Sequence, residues 1–524
     1  MHVFFKNLKE DFPSSLVVFL VALPLCLGVG QASTDVPGIN GIPISGIFAG
    51  IVGGIAVGLL SGSRIGVSGP AAGLITIIIA ALGTLGSYEA FLVSIIFAGI
   101  LQLIAGYLKL GVLSNYFPSS VIKGMLAAIG ITLILKEIPH ALGYDQDFFG
   151  DEAFFQSDGQ NTFSELYRAL GAFHPGAIVL SVISILLLIL FERPFFKKIA
   201  IFKILPGALF VVVFGILMNL LFPLIDERWA ISGKHLVEIP QANSFEEWKN
   251  MFYFPDFTFL NNPHVYVIGA TIALVASLET LLSVEATDKL DPEKQRTPKN
   301  KELKAQGIGN IISGFIGGLP ITQVIVRSSA NVNAGAKSKF SSVIHGCWLF
   351  AAIMFFPKLL NQIPLASLAA ILILVGYKLS KIKLYTAQWK LGYEQFIPFL
   401  STIIGVLFTD LLKGIAIGMV FSIFYILRKN YRNNYTYSED KMGKESQINI
   451  VLSEEVSFLN KGSVLASLTA IPNNSTVIID GSKCREIDYD VLEIIQEFKM
   501  FGAQEKGIKL TTINVPEINI SSAH

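Results

Sequence analysis

The sequence predicts an all-α polytopic membrane protein of about fourteen segments, followed by a small α/β domain. Two features of the composition indicate a membrane protein: 52% of the 524 residues are hydrophobic and only 15% are charged, whereas soluble domains carry roughly 25% charged residues. A third feature is the recurrence of charge-free stretches close to the roughly 20 residues that a membrane helix needs. After Arg432 the chain becomes polar, which marks the start of the second part.

The predicted segments follow one another through the first 432 residues. The long charge-free stretches are Phe12–Thr34, Val36–Ser63, Ile65–Tyr88, Ala90–Leu108, Ile204–Ile225 and Ala305–Val326. Shorter segments begin near Phe117, His174, His264, Phe340, Leu365, Phe396 and Gly414. The stretch Ala305–Val326 divides in two at Gly317–Pro320, because glycine and proline interrupt helices, and the total then reaches about fourteen.

The charges of the loops predict the orientation. Lysine and arginine concentrate in alternate loops, among them Lys289–Lys304, Lys337–Lys339 and Arg428–Arg432, whereas the loop Glu137–His174 is predominantly acidic. Short basic loops lie on the cytoplasmic side of a membrane. We therefore expect a multi-pass protein of the cell membrane with both termini in the cytoplasm and residues 1–432 as its transmembrane domain.

The remainder of the chain divides into a linker and a domain. Residues 433–446 are polar and typical of a linker. Residues 447–524 are predicted as a cytoplasmic α/β domain, because apolar or alternating runs such as INIVLSEEVSF, STVIIDGS and IKLTTINV favour strands. The stretches NKGSVLASLTAI and DYDVLEIIQEFKMFG between them have helical spacing.

Several function classes are excluded by composition and motifs. The formal net charge is +1, so no basic field favours nucleic acid. The three cysteines are isolated in the sequence and form no metal-binding spacing. Neither a phosphate-binding Walker loop nor a catalytic nucleophile motif is present in the sequence. We therefore expect a lipid-embedded protein that is not an enzyme and has no cofactor.

Two segments are unfavourable to membrane helices. RIGVSGPAAGL (Arg64–Leu74) and GGLPITQVIVRSSANVNAG (Gly317–Gly335) each combine glycines with a proline and lead into the third segment of a half of seven. Breaks at matching places in two halves indicate an inverted-repeat transporter and its binding site. The alternative is that both segments are kinks that allow close helix packing.

A helix that begins in mid-membrane directs unbonded N–H groups and its positive dipole end toward that point. Two such half-helices facing each other would form an anion site from backbone groups. Pro70 suits a first helical turn, Ser68 suits a cap of that helix, and Thr322 or Ser328 suits the same role on the other side.

Two ionisable residues lie near these breaks. Glu279 falls inside the apolar stretch VIGATIALVASLETLLSVEA, where a carboxylate predicts function. Ser283 is one turn further on the same face. Three roles are open for Glu279: a proton carrier, a Na⁺ ligand together with Ser283, or an interhelical hydrogen bond. Arg327, at the start of the second half-helix, suits an oxyanion site or an ion pair with Glu279.

The residues resemble the SulP family of anion transporters, which includes sulfate permeases and bicarbonate transporters. The resemblance rests on PLCLGVGQAS, GSRIGVSGPAAGL, ALVASLETLLS and GGLPITQVIVRSSANVNAGAKS, and the tail resembles the STAS domain of that family. It implies a 7+7 inverted repeat with core and gate domains, a homodimer, elevator-like alternating access, and a STAS domain that binds regulatory partners.

The resemblance also assigns residues. The substrate-binding positions it implies are Ser68, Gly69, Pro70, Ala71, Val324, Ile325, Val326, Arg327 and Ser328. Glu279 and Ser283 match the family's coupling-ion positions for Na⁺ or H⁺. The acid here is Glu where the bicarbonate transporter has Asp, so both cations remain open. Residues 323–326 are bulkier than the small-residue version typical of the bicarbonate transporter, and the tail is short.

The leading hypothesis is a cation-coupled secondary transporter for a small inorganic oxyanion, sulfate or bicarbonate. A dicarboxylate transporter and a nucleobase–proton symporter of related fold are alternatives within transport. A membrane-anchored signalling module is the alternative outside it, and would leave the half-helices and Glu279 without a role.

Overall fold

A computed structural model describes residues 7–36, 39–149, 154, 160–193, 206–241, 245–432, 435–442 and 445–518. The chain separates into two compact units, Met1–Met419 and Val420–His524. Parts of the predicted acidic loop, of the linker and of the tail lie outside the described residues, as do the first residues of the segment predicted to begin at Ile204.

Fourteen helices of the described ranges correspond in order to the predicted segments. They are α1 (Leu8–Thr34), α2 (Pro43–Leu60), α3 (Ala72–Leu85), α4 (Tyr88–Tyr107), α5 (Ser119–Leu142), α6 (Pro175–Phe191), α7 (Gly207–Ile225), α8 (Pro263–Leu290), α9 (Lys299–Phe315), α10 (Ile325–Asn333), α11 (Phe340–Phe355), α12 (Leu365–Leu379), α13 (Tyr393–Phe408) and α14 (Leu411–Arg432). Short helices lie at Thr162–Gly171, Phe245–Asn250, Pro357–Leu360 and Ile382–Lys390.

The prediction of a polytopic membrane protein is confirmed. Seven helices of the described ranges are long and apolar enough to cross a membrane, and an eighth span results if the bent pair Thr162–Gly171 and α6 counts as one. Helices α3, α11 and α13 are shorter but also apolar. The segments predicted near Phe340 and Leu365 begin at those residues.

Local chemistry explains where several helices begin and end. The Ser87 hydroxyl accepts the N–H of Ala90 at the start of α4, and Pro263 occupies the first turn of α8, where its missing N–H costs nothing. Gly86 and Gly143 end α3 and α5 in the left-handed region, with φ of 65° and 80°. Glycine is the residue that adopts this conformation without strain.

Glycine pairs bring neighbouring helices together. A Cβ on Gly99 of α4 would lie 2.6 Å from the Gly307 carbonyl oxygen of α9, and a Cβ on Gly307 would lie 2.7 Å from the Gly99 carbonyl oxygen. Gly130 of α5 and Gly376 of α12 approach each other in the same way. Small residues at such crossings are the usual means by which membrane helices pack closely.

The strands of the described residues are β1 (Asp35–Val36), β2 (Ile39–Asn40), β3 (Ser68–Pro70), β4 (Ile321–Gln323), β5 (Tyr435–Met442), β6 (Glu445–Leu452), β7 (Glu455–Val456), β8 (Thr476–Asp480), β9 (Glu486–Ile487) and β10 (Lys509–Ile513). In the second unit β10, β8, β6 and β5 form a four-stranded sheet in that order. β8 is parallel to both of its neighbours, as crossover helices require, and α15 (Lys461–Ala470) and α16 (Tyr489–Glu497) supply these crossovers. Ile448, Val477 and Val491 are buried in its core.

The predicted linker differs from what the structure shows. Residues 435–442 form β5, which pairs antiparallel with β6 from Tyr435 opposite Leu452 to Met442 opposite Glu445. This polar stretch forms a strand because it pairs with β6 in a hairpin. Composition alone does not reveal that pairing. The boundary between the compact units falls after Met419, within α14, ahead of the predicted boundary at 432.

Candidate functional site

The two broken segments meet and pair with each other. β3 (Ser68–Pro70) runs antiparallel to β4 (Ile321–Gln323), with Ser68 opposite Gln323 and Pro70 opposite Ile321. The pairing continues beyond the strands, since the Val324 N–H donates to the Val67 carbonyl at 2.9 Å. All six strand residues are buried. Extended backbone at membrane depth must be bonded internally, and here each break bonds the other.

This pairing corrects the prediction of capped helix starts. Pro70 lies in β3, not in a first helical turn, and α3 begins at Ala72 after the extended Ala71. Val324 precedes α10, and neither helix start has a side-chain cap. The Ser68 hydroxyl instead accepts a hydrogen bond from Gln306. Ser68 and Pro70 therefore belong to the strand pair and neither cap nor open α3.

Both half-helix starts line one cavity of about 80 Å³. Its walls are Ala71, Ala72, Gly73, Thr76, Ile129, Thr132, Glu279, Ser283, Val324, Ile325, Val326, Val406, Asp410 and Leu411. Six of these residues belong to the predicted site. A larger cavity of about 350 Å³ lies elsewhere, beside Gly28 and Asp145, and no predicted site residue lines it.

The carboxylate of Glu279 lies against the first turn of α3. A Cβ on Gly73 would be 3.0 Å from Glu279 Oε1 and 3.3 Å from its Cδ, so glycine leaves the space that the carboxylate occupies. The positive end of a helix favours a negative charge nearby. Glu279 and Ser283 are both buried and both face the cavity, as their spacing predicts.

Arg327 lies behind the strands and is not among the cavity-lining residues. Its Nη2 donates to the Pro70 carbonyl at 3.3 Å, and a Cβ on Gly69 would lie 2.1 Å from its Nη1. The side chain is 1% exposed, with Cys26 and His345 nearby. Arg327 therefore contacts β3 and does not line the cavity that α3 and α10 share.

The other predicted residues support the strands. The Ser328 hydroxyl accepts the Val67 N–H at 3.0 Å and donates to the Val324 carbonyl at 2.7 Å. Ser68, Gly69 and Pro70 form β3 itself and are absent from the described cavity wall. These four residues fix the backbone from which the lining residues project.

Sequence reasoning missed the walls contributed by α3, α5, α13 and α14. Thr76 and Thr132 add hydroxyl groups to the cavity, and Asp410 adds a carboxylate that also accepts the Lys413 N–H at the start of α14. A lone threonine in a span and an acid in a turn carry no local signal of a site. Only the packing of distant helices brings them together.

The chain resembles known proteins across most of its length. It matches the family model described as "Sulfate permease family" over residues 8–402. The Bacillus subtilis protein named "Putative sulfate transporter YvdB" is 29% identical over 81% of this chain and 74% of its own length. The "Bicarbonate transporter BicA" of Picosynechococcus is 25% identical over 80% of this chain and 70% of its own.

Solved structures share the fold. The murine Slc26a9 anion transporter superposes with a TM-score of 0.66 at 15% identity, and the match covers 97% of this chain and 85% of that one.

Proposed function

Because the chain belongs to the sulfate permease family, we propose that it is a secondary transporter that moves sulfate or bicarbonate across the membrane and is driven by a cation gradient. The observation that carries this proposal is the single cavity into which the first turns of α3 and α10 and the carboxylate of Glu279 all project. The names of the relatives, a sulfate transporter and a bicarbonate transporter, support anion transport without separating the two substrates.

The anion binds between the two helix starts. The first N–H groups of each helix have no partner within it, and two positive dipole ends converge on one cavity. Ala71 and Val324–Val326 let backbone groups approach the ion, while the guanidinium of Arg327 adds positive potential from behind β3. An oxyanion accepts several N–H bonds at once, which matches a site made of backbone donors.

Glu279 couples the anion to a cation. An ionised carboxylate and an anion in one small cavity repel each other, and the repulsion is strong where water is scarce. A proton on Glu279, or a Na⁺ bound by Glu279 and the Ser283 hydroxyl, removes that repulsion. Each ligand then raises the affinity for the other, which is the thermodynamic requirement for cotransport.

The rest of the proposal follows the family. Transport proceeds by alternating access, with a core domain that carries the cavity past a gate domain in a homodimer. The protein resides in the cell membrane with both termini in the cytoplasm, as the basic loops indicate. The second unit is proposed as a STAS-type domain that binds regulatory partners.

The lining of the cavity favours neither alternative. Its volume of about 80 Å³ has room for several water-sized groups and accommodates an ion of four or five heavy atoms. A dicarboxylate or a nucleobase is larger and needs polar groups at both ends or along a ring edge. Neither alternative is favoured by any contact of the cavity.

The test is uptake into liposomes that contain the purified full-length chain. Labelled sulfate and labelled bicarbonate are supplied separately, each with an inward Na⁺ gradient and then with an inward H⁺ gradient. Accumulation of one anion above equilibrium, abolished by the matching ionophore, is the expected result. Uptake that never exceeds equilibrium contradicts the coupling, and absence of any uptake contradicts the function.

A further inference from the structure

Helix α9 carries a row of buried polar side chains outside the cavity. They recur every three or four residues and therefore share one face of the helix: Glu302, Gln306, Asn310 and Ser313, each at most 1% exposed. Buried polar groups require partners. Three members of the row bond residues of the two broken segments.

Gln306 and Ser313 each bond one of the two broken segments. Gln306 Nε2 donates to the Ser68 hydroxyl of β3 at 2.7 Å and to the carboxylate of Glu302 at 3.0 Å. The Ser313 hydroxyl donates to the carbonyl of Leu319, just before β4, at 2.7 Å. One helix face thus contacts both broken segments.

The Asn310 carboxamide bonds the backbone of β4 in the way that a neighbouring strand would. The Ile321 N–H donates to Asn310 Oδ1 at 2.6 Å, and Asn310 Nδ2 donates to the Ile321 carbonyl at 3.1 Å. The Val324 N–H donates across the pair to Val67, and because bonding alternates along an antiparallel strand, the N–H and C=O of Ile321 face the edge of β4 that points away from β3. An unbonded sheet edge inside a membrane costs several kcal/mol per group, and Asn310 satisfies both groups of this residue.

We infer that Asn310 is a positioning residue that sets the anion affinity without touching the anion. β4 leads directly to Val324 and Ile325, which form the wall of the cavity at the start of α10. Two residues further along the same edge of β4, the Gln323 N–H donates to Thr280 Oγ1 of α8 at 3.3 Å. Without Asn310 the strand keeps only this weaker bond on that edge, and the start of α10 shifts relative to Glu279. The inference rests on the proposed function.

A purely structural role is the competing explanation. Asn310 Nδ2 also donates to Gln102 Oε1 of α4 at 2.6 Å, and Gln102 is itself fully buried. Gln102→Leu therefore removes a buried polar contact of the same side chain and leaves both bonds to Ile321. This variant is the matched control for Asn310→Leu.

The experiment measures three properties of each full-length variant in liposomes: the half-saturating anion concentration, the maximal uptake rate and the melting temperature. Asn310→Leu is expected to raise the half-saturating concentration roughly tenfold or more, because small misplacements of a binding wall are costly. Gln102→Leu lowers the melting temperature but leaves the half-saturating concentration unchanged. An unchanged value in Asn310→Leu, or an equal rise in both variants, overturns the inference.

Amide hydrogen exchange separates this inference from the proposed function. Exchange at residues 321–324 is expected to be about tenfold faster in Asn310→Leu than in the wild type or in Gln102→Leu. If the wild type moves neither anion, the proposed function fails, while unchanged exchange at 321–324 still refutes the positioning role. Should Asn310→Leu not fold, Asn310→Asp keeps an acceptor for the Ile321 N–H, loses the donor when ionised, and undergoes the same comparisons.

Discussion

Gly73→Ala tests whether the position of the Glu279 carboxylate sets cation coupling. The added Cβ would lie 3.0 Å from Glu279 Oε1 and 3.5 Å from Oε2. Ordinary contact begins near 3.4 Å, so the carboxylate must retreat by about 0.4 Å, close to the ~0.5 Å within which a site tolerates error. The half-saturating concentration of the coupling cation is expected to rise roughly tenfold, or about 1.4 kcal/mol.

The free energy of unfolding should change less than the cation affinity. Alanine in a helix is favoured over glycine by about 0.5–1 kcal/mol, which offsets part of the steric cost. Gly83→Ala is the matched control on the same helix, because a Cβ there meets nothing within 4 Å. Uptake against cation concentration and thermal unfolding are measured for both variants. If Gly73→Ala matches Gly83→Ala and the wild type in cation dependence, the contact between Gly73 and Glu279 has no role in coupling.

Three further predictions concern Arg327, Ser283 and Glu165. Arg327→Met should raise the half-saturating anion concentration roughly fivefold, an effect of about 1 kcal/mol, because it removes positive charge behind β3. Arg327→Lys should retain most of the anion affinity. If both variants lose equal affinity in uptake assays, the shape of the side chain matters and its charge does not. Ser283→Ala should weaken the dependence of uptake on Na⁺ and leave H⁺-driven uptake unaltered. The control is Ser277→Ala, which should change neither, because the Ser277 hydroxyl bonds Gln102 on another face of the helix. An unaltered Na⁺ dependence in Ser283→Ala would show that Ser283 is not part of the cation site. Burial and the nearby Asp147 raise the pKa of Glu165 from 4.5 to about 7. Between these two values the folded state holds a proton that the unfolded state releases, so this stabilisation is present at low pH and is lost as pH rises from about 4.5 to about 7. The melting temperature of Glu165→Gln relative to the wild type should therefore increase across that window, and a difference independent of pH would contradict the pKa assignment.

The sequence predicts the helices well because each one carries its own signal. Runs of apolar residues end at charges, and the starts of α11 and α12 fall on the predicted residues. The breaks at Arg64–Leu74 and Gly317–Gly335 are also visible locally, since glycine and proline interrupt a helix wherever it lies. The prediction that Glu279 and Ser283 share a face depends only on helical period.

What the sequence does not reveal depends on contacts between distant segments. Ser68 and Gln323 are opposite each other in the β3–β4 pair, although more than half of the transmembrane domain separates them in the chain. The caps predicted for α3 and α10 fail because Ser68, Thr322 and Ser328 pair with or bond the other broken segment. Arg327 was expected at the anion, yet its guanidinium lies beyond β3, against the space left by Gly69. The roles of Gly73 and Asn310 likewise exist only once α3, α8 and α9 are packed together.

The central claim is that Glu279 couples anion movement to a cation gradient, and its most direct test compares Glu279→Gln with Glu285→Gln. Both variants lie on α8, but Glu285 is paired with Lys299 at 2.7 Å and does not line the described cavity. We measure labelled-anion exchange at equal concentrations and accumulation under a cation gradient in the same liposomes. Glu279→Gln should exchange the anion yet fail to accumulate it, while Glu285→Gln accumulates as the wild type does. Accumulation by Glu279→Gln at the wild-type level would show that Glu279 is not the coupling group.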